Sequence, residues 1–244
     1  MGRWLGFGTE DLAALDIRLI AVDRPGLGAS DPDPERTLLD WADDIRALAL
    51  PNPAVVGFSQ GAPFALACAA TGLASAVAIV SGGDELAYPA FADTLIPEVR
   101  HLVRLAETDP AAAEMAFTPF AEPEAMWRMG IDASPAEDRA VYLAPEFDKA
   151  FRRALADGFT QGPSGYIRDT LLHMTPWPFD LSKIAVPVDL WYGERDTNPT
   201  HSPDHGSTLA ARIPGAHLHL VPEAGGALLW THARSILETL LARR

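Results

Sequence analysis

The sequence predicts an α/β fold, a mostly parallel sheet with flanking helices and an inserted helical cap. Three observations carry that expectation. Short apolar runs suited to buried strands alternate with helix-like segments, which implies parallel strands joined by right-handed crossovers. Gly57-Phe58-Ser59-Gln60-Gly61 lies between one such run and an Ala-rich segment. From Asp84 to about Asp180 strand-like runs stop, and the chain becomes helical, Pro-punctuated and charged. The expected division is therefore 1–83 as the first part of the core, 84–180 as the cap and 181–244 as the second part of the core.

In chain order, Thr9–Leu15 reads as a short helix capped by Thr9, with Glu10 and Asp11 in its first turn. Ile17–Val22 reads as a strand ending in the turn Asp23-Arg24-Pro25-Gly26-Leu27-Gly28-Ala29-Ser30. Gly26-Leu27-Gly28 does not make a dinucleotide loop, because the third glycine of that pattern would fall at Asp31 and Pro32 and Pro34 bar a helix there. Leu38–Leu50 is an amphipathic helix with Leu39, Ile45, Leu48 and Ala49 inward. Ala54–Val56 and Ala76–Val80 are buried strands flanking the Ala-rich helix.

In the cap, Ile96, Val99, Val103 and Leu105 recur at helical spacing, and Met115, Met126, Trp127 and Met129 are candidates for a pocket lining or for ordinary packing. The sheet resumes at Val188–Tyr192, followed by Gly193-Glu194-Arg195-Asp196. A helix at Ser207–Ile213, a strand at Ala216–Val221 and a final helix from Ala227 to Leu241 complete the chain.

The 244 residues suffice for one large α/β domain with an insertion. A formal net charge of −14 argues against nucleic acid or an anionic membrane as partner. The one cysteine, Cys68, permits no internal disulfide, and no Cys/His grouping has zinc-ligand spacing, so no metal site is expected. The uncharged stretch Ala47–Gly83 is broken by prolines and glycines into core elements, and no signal peptide opens the chain, which makes the cytoplasm the expected location.

The Gly57–Gly61 stretch has the chemistry of a nucleophile elbow: a serine on a sharp strand-to-helix turn, flanked by residues without Cβ atoms, facing the positive end of a helix. The chain resembles the α/β-hydrolase family along nearly its whole length outside the cap. The elbow, the turn Asp23–Ser30, the run from Ile184 through Asp196 and the run from Ile213 to Pro222 follow in the family's order. The resemblance implies Ser59 as nucleophile, Asp196 as the acid that orients the base and the Gln60 backbone N–H as an oxyanion donor. Asp84 is a lesser candidate for the acid. A serine elbow implies acyl transfer on an ester-like bond, without a cofactor.

Two departures qualify that expectation. The family carries Gly-His where this chain has Gly225-Gly226, and losing the base typically lowers turnover on the order of 10⁶-fold. Among possible substitutes, His205 and His232 rank ahead of His201, His217 and His219. The chain also begins just past the region where the family has three strands and an oxyanion loop, as a fragment or a mis-started gene would. The resemblance thus implies an esterase-like hydrolase of an ester-like or other acyl bond in a small-molecule substrate, with impaired activity; the alternative is a non-catalytic protein of the same fold that binds a small ligand or a partner.

Overall fold

The computed structural model describes residues 2–243. Four parallel strands form one sheet in the order β1 (Val55–Phe58), β2 (Val77–Val80), β3 (Val188–Gly193) and β4 (His217–Val221). β2 and β3 are buried along their whole length, as apolar runs covered on both faces must be. The two-residue side-chain period divides them between two cores. Val77, Ile79, Val188, Leu190 and Tyr192 pack on one face, and Ala78, Val80 and Trp191 on the other.

The helices are α1 (Gly2–Leu5), α2 (Thr9–Ala14), α3 (Leu38–Ala47), α4 (Ala62–Ala70), α5 (Pro97–Thr108), α6 (Pro110–Phe117), α7 (Pro123–Asp132), α8 (Ala136–Tyr142), α9 (Pro145–Gly158), α10 (Ser164–Met174), α11 (Ser207–Arg212), α12 (Leu228–Thr231) and α13 (Ala233–Ala242). α3, α4 and α11 cover the Leu190 face, and α12 and α13 cover the Trp191 face. α4 is apolar all round because residues 62–69 are all buried. Cys68 lies inside it, and burial pushes its thiol up to about 11, so it is an inert core residue.

α5 to α10 form the helical stretch between β2 and β3, with a core of their own around Phe91, Val99, Val103, Phe117, Ile167 and Leu171. α10 is pressed onto the turn that follows residue 22. A Cβ on Gly165 would sit 2.5 Å from the Gly26 carbonyl oxygen, so the small residue sets how closely α10 approaches that turn.

Several local expectations are corrected. Residues 17–22 are not a strand: among the described residues they join no ladder, β1 pairs with β2 alone, and Leu19, Ile20 and Val22 are exposed. An apolar, β-branched run becomes a strand only where a neighbouring strand accepts its backbone hydrogen bonds. α2 is capped by Gly8 and not by Thr9. α3 buries Leu38, Ala42 and Ile45 while Leu48 is exposed, because the helix ends at Ala47. Ile96, Met115 and Met129 are also exposed, so the inward stripe of the cap is narrower than expected. The last helix is split at His232 into α12 and α13. Among the described residues, no helix is long and apolar enough to cross a membrane.

Candidate active site

Ser59 follows directly on β1 and takes φ +50°, a left-handed conformation uncommon for a residue with a Cβ. One 3-10 turn, Ser59–Gly61, leads into α4, which aims its N-terminal end at the serine. The turn is held from the segment that follows β2, where the Gly83 N–H donates to the Ser59 carbonyl at 3.1 Å. The two elbow glycines are not equivalent. A Cβ on Gly57 would lie 2.7 Å from the Gly61 carbonyl oxygen and 2.8 Å from the Ala65 Cβ, whereas one on Gly61 would meet nothing within 4 Å. Only the first glycine is needed for space, which corrects the expectation that both are.

Asp196 begins the loop after β3. Two Asx turns fold that loop back over the sheet: Asp196 Oδ1 accepts from the Asn198 N–H at 3.0 Å, and Asn198 Oδ1 accepts from the Thr200 N–H at 3.0 Å. The His201 N–H then donates to the Asn198 carbonyl, and the Ser202 N–H to the Gly82 carbonyl, tying the loop to the end of β2. The result sets His201 between the expected acid and the expected nucleophile. Its Nδ1 is 2.6 Å from Asp196 Oδ2 and its Nε2 is 2.9 Å from Ser59 Oγ. With the Nδ1–H donating to Asp196, Nε2 is left to accept the Ser59 hydroxyl proton.

His201 and the Asp196 carboxylate are both buried. Burial works to raise the Asp196 carboxyl, but the His201 charge and hydrogen bond and the Asn198 N–H outweigh it and hold the carboxyl below its ordinary value. Asp196 is therefore an ionised partner for an imidazolium.

Among the described residues no other histidine is hydrogen-bonded to Ser59. His232 bonds the Thr231 hydroxyl at the α12 end, and His219 stacks on Trp191 and bonds Asp189 at 2.8 Å. His205 lies in the turn before α11 and is not hydrogen-bonded to Ser59 or Asp196. His173, on α10, is fully buried against Gly83, and its Nε2 has no partner among the described residues. Burial, with smaller effects from His201 and Arg24, lowers it to about 4, so it is neutral.

Gln60, next to the serine, is fixed through its side chain. Its amide donates to Thr170 Oγ1 at 3.1 Å, and its Oε1 accepts from Arg24 Nη2 at 3.4 Å. Asp84 does not stand in for the acid. It is fully buried at the end of β2, accepts from the Glu85 N–H at 2.7 Å and lies behind the loop, 3.4 Å from Ser202 Oγ. Burial raises its carboxyl to about 7. Among the described residues no group of three or more His, Cys, Asp or Glu side chains could hold a metal ion.

A family model described as "Alpha/beta hydrolase family" matches residues 2–238. The chain belongs to the α/β-hydrolase family. Solved structures of similar fold include an esterase, RhEst1, from Rhodococcus sp. ECU1013, at 22% identity and TM-score 0.64, covering 99% of this chain and 86% of that one. The enol-lactonase from Burkholderia xenovorans LB400 is 19% identical with TM-score 0.63, covering 96% and 84%. An α/β-hydrolase fold protein from Nakamurella multipartita is 19% identical with TM-score 0.63, covering 95% and 84%. No curated protein matches the chain.

Within this α/β-hydrolase the loop after β4 comes to Asp196. A Cβ on Gly226 would lie 3.0 Å from Asp196 Oδ2, so the glycine occupies a place from which a side chain would touch the carboxylate. That loop is held from α8. The buried Asp138 carboxylate accepts from the Gly226 N–H at 2.6 Å and from the Ala227 N–H at 3.1 Å. Burial raises the Asp138 carboxyl, and its two N–H donors and the charge of Asp196 act as smaller influences in opposite directions. Sequence reasoning passed over Asp138 and ranked His201 behind His205 and His232. The Asp196-Thr197-Asn198-Pro199 run is a turn signal that could have pointed to His201.

Proposed function

We propose that this α/β-hydrolase is a serine hydrolase of ester-like bonds in small molecules, with Ser59 as nucleophile, His201 as base and Asp196 as the acid that orients it. The observation that carries the proposal is the pair of contacts on one imidazole, 2.9 Å to Ser59 Oγ and 2.6 Å to Asp196 Oδ2. In this reading His201 takes the role expected of a histidine at position 226, so the site is competent and not impaired.

Ser59 Oγ adds to the acyl carbon while its proton passes to His201 Nε2, and the carbonyl π pair moves onto oxygen. The Gln60 backbone N–H, in the turn just before α4, is placed in sequence to donate to that oxyanion. Collapse of the adduct breaks the bond to the leaving group, which takes the proton from His201. A water molecule then repeats the sequence on the acyl-enzyme, releasing the acid and restoring the serine. Residues 84–180 act as a cap over the site, between core parts 1–83 and 181–244.

The test is hydrolysis of p-nitrophenyl acetate and butyrate by the wild type and by Ser59→Ala, with fluorophosphonate labelling mapped by peptide mass. The wild type should turn over and carry the label on Ser59, and Ser59→Ala should do neither. Equal background rates in the two proteins would favour the non-catalytic ligand-binding alternative.

A further inference from the structure

Two arginines converge on one buried carboxylate beside the elbow. Asp169, on α10, is fully buried and accepts from Arg24 Nε and Arg36 Nη2, each at 2.5 Å. Arg36 is itself buried, and its guanidinium also donates to the Asp33 and Gly165 carbonyls, so it is committed to structure. Asp169 and Arg36 already balance one another. Arg24 is the surplus cation, and the trio carries a net charge of +1 in a chain of net charge −14.

The guanidinium of Arg24 is held from two sides, and the side chain is only partly covered. It lies 4.4 Å from the centroid of the Phe64 ring on α4, its Nε is taken by Asp169, and 22% of its side chain is exposed. Its Nη1 has no hydrogen-bond partner among the described residues, and its Nη2 makes only the long 3.4 Å contact with Gln60 Oε1. The end formed by the two Nη atoms is therefore available, and it is the edge of a guanidinium that takes a carboxylate in two parallel hydrogen bonds. Gln60 links this edge to Ser59, its neighbour in the chain.

We propose that Arg24 anchors a carboxylate carried by the substrate, so that the preferred esters are those of small acids or alcohols bearing a second, free carboxylate. The proposal rests on the hydrolase reading above and names the substrate class for that site. Asp169 and Arg36 preset the Arg24 fork, and binding a carboxylate there neutralises the surplus charge.

The experiment compares matched ester pairs by pH-stat at neutral pH. Monomethyl glutarate is set against methyl valerate for a carboxylate on the acyl side, and O-butyrylglycolate against propyl butyrate for one on the alcohol side. The wild type should favour the charged member of at least one pair by tenfold or more in kcat/KM. Arg24→Met should bring that ratio close to one, and Arg24→Lys, which keeps the charge without the fork, should retain part of it. A wild type indifferent to charge in both pairs, or an Arg24→Met variant that lowers both members of a pair by the same factor, overturns the proposal.

Should Arg24→Met fail to fold, Arg24→Lys and inhibition of methyl valerate hydrolysis by free glutarate decide in its place. Absence of inhibition overturns the proposal. If the wild type cleaves no ester of either pair, it is the hydrolase reading that fails. The anchor is then read alone, as a glutarate-dependent rise in melting temperature that Arg24→Met or Arg24→Lys diminishes, and no such rise overturns it as well.

Discussion

Gly226 stands against the carboxylate of Asp196, where a Cβ would lie 3.0 Å from Oδ2 and 3.2 Å from Oδ1. Asp196 is already bonded to His201, so an imidazole at position 226 competes with the resident base for the same carboxylate. Gly226→His in the wild-type background is expected to lower kcat/KM by about tenfold or more, whereas the sequence alone suggests that it should restore a missing base. His201→Ala should lose on the order of 10³-fold or more. The double variant His201→Ala/Gly226→His should recover part of that loss. Esterase kinetics on the four proteins checks the set, and a gain in the Gly226→His single variant would mean that His201 does not serve Ser59.

The elbow glycines should respond oppositely to alanine. Gly57→Ala drives a methyl group into the Gly61 carbonyl and Ala65, backbone and packed core that cannot swing aside, and should destabilise by roughly 2–4 kcal/mol. Gly61 has φ −71° at the start of α4 with open space around it, so Gly61→Ala should be neutral or stabilise by up to about 1 kcal/mol. Denaturant unfolding of the two variants measures the contrast. Equal losses in both would show that crowding at Gly57 is not what the first glycine relieves.

Asp138 satisfies two buried N–H groups of the loop that passes beside Asp196. Asp138→Ala leaves both donors without a partner and should destabilise by roughly 2–4 kcal/mol. Asp138→Asn keeps one acceptor and should be milder. A melting temperature for Asp138→Ala equal to the wild type would mean that the loop does not depend on α8.

Much of this architecture is legible in the residues. β1 to β4, α4 and α11 fall where apolar runs end at glycine or proline, and Ser59 and Asp196 come together across the ends of β1 and β3 as the order of motifs implies. Residues 17–22 misled because strand character belongs to a pair of chains and not to one run. His201 was underrated for a related reason. Its approach to Ser59 depends on two consecutive Asx turns and on the Ser202 N–H bond to Gly82, contacts that side-chain type and spacing do not display. Asp138 lies 88 residues from the loop that it holds, a distance that no local pattern spans.

Asp84 should leave a pH signature in stability. Its folded value of about 7 is raised above the ordinary 3.8 chiefly by burial, with Arg212, Asp204 and Glu85 as the charged neighbours. Between those two values the folded chain binds more protons at this group than the unfolded chain, so its contribution falls as pH rises from about 4 to 7. The loss is at most on the order of 4 kcal/mol. The stability difference between Asp84→Asn and the wild type should therefore grow in favour of Asp84→Asn across that window. A difference that stays flat from pH 4 to pH 8 would mean that Asp84 is ionised throughout.

The most direct measurement compares kcat/KM for p-nitrophenyl butyrate in His201→Ala, His205→Ala and His232→Ala. A loss of at least about 10³-fold is expected in the first and changes within about threefold in the other two. A His201→Ala enzyme as active as the wild type, or a comparable collapse in His205→Ala or His232→Ala, would contradict His201 as the base.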